Sequence, residues 1–94
     1  MAGWTLELTD EAKADLATLD ATERRRMLEK VVWLAEHFDE VTPVALGGEW
    51  RAFSKLRAGD WRAAYTVAYD ERTITVHMID RRDKIYKRSP PTLP

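Results

Sequence analysis

The residues best suited to chemistry lie in two basic, aromatic-tipped segments of the second half of the chain, Lys55-Leu56-Arg57-Ala58-Gly59-Asp60-Trp61-Arg62 and Arg81-Arg82-Asp83-Lys84-Ile85-Tyr86-Lys87-Arg88. Cationic side chains on paired strands, with a tyrosine beside them, could bind and strain a phosphodiester. Attack on phosphorus builds negative charge on the phosphate oxygens, and fixed Lys and Arg donors stabilise it. The sequence has no Cys, and its two histidines, His37 and His77, are far apart. Thiolate and clustered-imidazole chemistry are thus out of reach, and we expect neither a metal nor a cofactor.

Charge is divided between the halves. Residues 1–50 hold 5 Lys/Arg against 11 Asp/Glu, and residues 51–94 hold 10 against 5, so a net charge of −1 hides halves of −6 and +5. A basic C-terminal half suits an anionic partner, while the acidic half can stay solvated or face a cationic one. With 94 residues, 45% of them apolar and 33% charged, the chain suits one globular domain. We place it at residues 1–88, followed by a proline-rich tail over 89–94. No run approaches the roughly 20 apolar residues of a membrane span, and Met1-Ala2-Gly3-Trp4 lacks a basic start and apolar run, so the expected location is cytoplasmic.

Positioning the basic residues falls to the following elements. Trp4 to Leu8 alternates with period two and predicts a short strand. Thr9, followed by Asp10 and Glu11, predicts a capped helix start, with Ala12, Leu16 and Leu19 as its inner stripe. Asp20-Ala21-Thr22 is a tight connection with Thr22 as a second cap, giving an antiparallel helical hairpin. Leu28, Val31, Val32, Ala35 and Phe38 follow helical spacing, with His37 at the C-terminal end. Asp39 to Gly48 reads as a loop. Trp50 to Leu56, Trp61 to Tyr69 and Thr73 to Ile79 then read as an antiparallel meander with a turn at Gly59. The fold class is α+β, with the helices on one face of the sheet.

Strand parity sorts the side chains. Trp61, Ala63, Tyr65, Val67 and Tyr69 form the core face of the middle strand, and Arg62 points to the open face. Ala52 and Leu56 as core partners send Arg51, Phe53 and Lys55 outward, which makes Lys55 and Arg62 neighbours across the hairpin. Two like charges so placed favour an anion between them. His77 shares the parity of Thr75 and Ile79, and the tryptophans Trp4, Trp33, Trp50 and Trp61 are assigned mainly to the core and the helix–sheet junction.

The order strand, helix, helix, meander, with Leu46-Gly47-Gly48-Glu49-Trp50 ahead of Lys55 to Tyr65 and a closing Asp80-Arg81-Arg82-Asp83-Lys84-Ile85-Tyr86, resembles the RelE/ParE superfamily of bacterial toxins. The resemblance runs from about Trp4 to Arg88. For the RelE branch it implies a type II toxin-antitoxin toxin that cleaves mRNA in the ribosomal A site without a metal, a ribose 2′-hydroxyl attacking the adjacent phosphate. Lys55, Arg62 and Arg82 then match positions that grip the scissile phosphate, and Tyr86 matches the tyrosine that orients or deprotonates the 2′-hydroxyl. Arg51, Arg57, Arg81, Lys84, Lys87 and Arg88 are the candidates for holding RNA. The implied partners are a RelB-like antitoxin and the ribosome with its mRNA.

The sequence also departs from that pattern. Several ribonuclease members carry a second basic residue two positions before the lysine, where this chain has Phe53, and the toxins are usually strongly basic. A ParE-like inhibitor of DNA gyrase and a catalytically decayed, antitoxin-binding homologue are the alternatives.

Overall fold

A computed structural model describes residues 3–91 and 93, so residues 92 and 94 of the proline-rich tail lie outside the described residues. The chain runs β1 (Thr5–Leu8), α1 (Asp10–Ala17), α2 (Ala21–Glu36), β2 (Val44–Ala45), β3 (Ser54–Ala58), β4 (Trp61–Ala68) and β5 (Thr73–Arg81), with single 3-10 turns at Phe38–Glu40, Gly48–Trp50 and Ile85–Lys87. The α+β expectation is met. The expected meander β3-β4-β5 is antiparallel. It sits inside a five-stranded sheet of order β1-β5-β4-β3-β2, with β1 parallel to β5.

Local chemistry explains the helix starts. Thr9 accepts the Ala12 N–H at 3.1 Å, as its position before two acidic residues predicts. The second cap is Asp20 rather than Thr22. Its carboxylate accepts the Glu23 N–H at 2.8 Å, and that backbone bond holds the Asp20 carboxyl below its ordinary pKa. The inner stripe of α2 is Met27, Val31, Leu34 and Ala35, which continues into Phe38. Leu28 and Val32 are exposed instead. Both sets keep helical spacing, and the Met27–Leu34 line is the one that faces the sheet.

The main core lies between the helices and one sheet face. Ala12, Leu16, Met27, Val31 and Leu34 meet Leu56, Ala63, Tyr65, Ile74, Val76 and Ile79 there. The opposite face is partly covered too, by a second cluster of Leu46, Trp50, Phe53, Ala64, Met78 and Ile85. This overturns one parity reading: Ala52 is exposed rather than a core partner of Leu56. Phe53 does lie on the face opposite Leu56, as parity predicts, but it is only 3% exposed because Trp50 and Ile85 cover that face there. Parity also breaks in β5, where Ala64 pairs with Met78 but Tyr65 with Val76, leaving His77 as an extra residue. That bulge puts Ile79 into the helix-side core with Val76, while His77 meets Thr66 and Phe53 on the other face. Gly59 takes φ +63° in the β3–β4 turn, as expected for a glycine there.

Candidate functional site

Lys55, Arg57 and Arg62 stand on the open face at the β3–β4 hairpin. The residue opposite Arg62 is Arg57, not Lys55, which pairs with Ala64 one step further along. Two arginines directly opposed across a hairpin repel unless something anionic lies near. On its other side Arg62 faces Asp80 of β5. The Arg62 guanidinium turns back toward the hairpin, and its Nη1 donates to Gly59 O at 2.9 Å and Trp61 O at 3.1 Å. Those bonds fix its reach while leaving its other N–H groups available.

Beyond β5 the chain turns under the hairpin, where the Arg82 N–H donates to Asp60 O at 2.9 Å. Asp60, Arg81, Arg82 and Asp83 line a hollow of about 180 Å³. Arg81 lies on the helix side of the sheet edge, its guanidinium 5.6 Å from the Trp61 ring centroid, while Trp61 Nε1 donates to Glu23 of α2. Tyr86 is half exposed on the 3-10 turn, beside a groove of about 280 Å³ walled by Gly47, Gly48, Glu49 and Trp50. Lys55 reaches a third depression, between α2 and β3, with Lys30, Trp33, Val44 and Arg57. Three of the four candidate catalytic residues, Lys55, Arg82 and Tyr86, thus line three different hollows, while Arg62 lies on the sheet face between them and lines none of the three.

The candidates for holding RNA separate further. Arg51, Arg57, Lys84 and Lys87 are exposed. Arg88 is committed internally: its Nη2 donates to Glu11 at 2.7 Å, and its Nη1 donates to Asp15 at 2.9 Å and to Asp80 at 3.2 Å. Burial acts to lower the pKa of this guanidinium, but bonds to Asp15, Glu11 and Asp80 outweigh it and raise the pKa. Sequence reasoning missed these three carboxylates because Glu11 and Arg88 are 77 residues apart and no local pattern joins them.

His77 Nε2 lies 2.7 Å from Thr66 Oγ1 and its ring stands edge-on to Phe53 at 5.3 Å. Burial lowers its pKa, which favours the neutral ring. His37 ends α2 as expected, its Nδ1 2.9 Å from Trp33 O and its ring stacked on Trp33. Among the described residues, no group of three or more His, Asp or Glu side chains is arranged to hold a metal ion, and no helix is long and apolar enough to cross a membrane.

A helix pair on a mixed five-stranded sheet of this order is the RelE fold. The chain is similar to a chain of the RelBE2 toxin-antitoxin complex of Mycobacterium tuberculosis, with a TM-score of 0.74 and 22% identity over 84% of this chain and 98% of that one. It is similar also to a substituted form of the Escherichia coli toxin RelE in the free state, with a TM-score of 0.71 and 20% identity over 92% and 90%. A variant of YafQ from E. coli gives a TM-score of 0.60 and 14% identity over 88% and 98%. No protein-family model matches the chain, and no curated protein matches it.

Proposed function

We propose that this protein is a RelE-like toxin that cleaves mRNA on the ribosome and is held inactive by a RelB-like antitoxin. The observation that carries the reading is the cationic open-face end of the sheet, Lys55, Arg57 and Arg62, with exposed Arg82 and Tyr86 nearby in a RelE fold. The ribose 2′-hydroxyl attacks the adjacent phosphorus and gives its proton to solvent. The P–O5′ bond breaks and the 5′-oxygen leaves with a proton taken from solvent, and Lys55, Arg62 and Arg82 neutralise the charge that grows on the phosphate oxygens. Tyr86 orients the attacking hydroxyl. Arg57, opposed to Arg62, adds the second positive charge that Phe53 does not supply, and the repulsion between the two arginines is relieved when phosphate enters.

Toxin–antitoxin complexes among the similar structures support a protein partner, and the cytoplasm is where translating ribosomes are met. Expression of the chain and of its Lys55→Ala, Arg62→Ala and Arg82→Ala variants, followed by mapping of mRNA ends on translating ribosomes, tests the proposal. Codon-phased cuts that vanish in the variants are expected. Intact mRNA together with stalled replication and broken DNA would overturn it in favour of gyrase inhibition.

A further inference from the structure

Tyr86 sits on a single turn of 3-10 helix, too short to hold a side chain in place by its own hydrogen bonds. What fixes it lies on either side. Ile85, the preceding residue, is fully buried against the open-face cluster. Two residues after Tyr86, Arg88 enters a socket of three carboxylates, Glu11 and Asp15 from α1 and Asp80 from β5. The backbone is held there as well, for Trp50 Nε1 donates to Arg88 O at 3.2 Å.

The socket does more than pair charges. Asp15 Oδ2 accepts the Ile79 N–H at 3.0 Å, and Arg88 Nη1 lies 3.4 Å from Ile79 O. These two side chains therefore occupy the edge of β5 beyond the stretch that β1 covers. Without the guanidinium three carboxylates would crowd together unneutralised, so the socket is stable only with Arg88 in it. An arginine fork matches such a multidentate site, whereas a lysine offers a single point charge.

We infer that Arg88 is a positioning residue: by seating in the Glu11–Asp15–Asp80 socket it clamps the C-terminal turn and sets Tyr86 over the open face. The inference rests on the proposed ribonuclease reading for its catalytic consequence, but the clamp itself is measurable without it. The Arg88→Gln and Arg88→Lys variants, Tyr86→Phe, and the Arg88→Gln/Tyr86→Phe double variant are compared in single-turnover cleavage on programmed ribosomes. Arg88→Gln is expected to slow cleavage on the order of tenfold to a hundredfold, the scale of a small misplacement, while the half-saturating toxin concentration stays put. Arg88→Lys recovers part of that loss. The double variant is no slower than the slower single one, because both changes act through one group. Additive losses, or weaker ribosome binding at an unchanged rate, would overturn the inference.

Amide hydrogen exchange on the same purified variants supplies the independent readout. Arg88→Gln should speed exchange at Ile85–Lys87 while leaving α2 protected, and Asp80→Asn, a gentler change, should do so to a smaller degree. Unchanged exchange at the turn refutes the clamp whatever the chain cleaves. Local opening in a protein whose wild type leaves mRNA intact keeps the clamp and discards the ribonuclease reading.

Discussion

Where the family resemblance leads one to expect a cation, Phe53 is instead packed among aromatic rings. Its ring is edge-on to both Trp50, at 5.2 Å, and His77, at 5.3 Å, and only 3% of the residue is exposed. Phe53→Ala should cost about 3 kcal/mol in chemical unfolding, and Phe53→Lys should cost at least as much without raising cleavage, since a lysine there is desolvated. His77 offers a second test. Its folded pKa is depressed, so its contribution to stability is present above its unfolded pKa of roughly 6.5 and is lost as pH falls through the folded value. Wild type minus His77→Phe, compared by urea unfolding across pH 8 to pH 5, roughly the window around that value, should show wild type losing relative stability toward the acid end.

Among the elements, α2 is the most informative about what a sequence displays. Asp20→Ala should lower the unfolding temperature through loss of the cap, whereas Thr22→Ala should change little, a contrast that thermal unfolding resolves. The helices, the hairpin at Gly59 and strands β4 and β5 were legible because period, caps and turn residues are local properties; β3 reads by pattern from Trp50 to Leu56 but runs Ser54–Ala58, because Trp50 folds into a 3-10 turn. Two features were not legible. The rotation of α2 was hidden because Leu28 and Val32 are as apolar and as well spaced as Met27 and Leu34, and only the sheet chooses between them. The bulge at His77 follows from no residue type in β5, yet it reverses the parity of everything after it. Of the candidate site, the shared face of Lys55 and Arg62 was readable from alternation. The Arg57–Arg62 opposition needed the register, and the Arg88 socket needed the tertiary fold.

At the scale of the molecule, charge is separated more in sequence than in space. Acidic α1 folds against the basic C-terminal turn through Arg88, and Asp60, Asp80 and Asp83 sit among the cations. What remains for an anionic partner is a compact patch rather than a wide basic surface. With about three phosphates engaged, log K for RNA should fall with log salt at a slope of about −2, shallow for an RNA-binding protein. Fluorescence anisotropy on a short single-stranded RNA across a salt series measures that slope. Arg57→Ala should lower it by about one phosphate's share.

The parallel pairing of β1 with β5 places the first strand to be synthesised beside the last. Glu11 and Asp15 likewise await a side chain at position 88. During translation the N-terminal half emerges with its sheet neighbour and its counter-ion still unmade, so the fold closes only when the C-terminal residues leave the ribosome. A chain of this topology therefore completes both its sheet and its Arg88 socket only after residue 88 has been made.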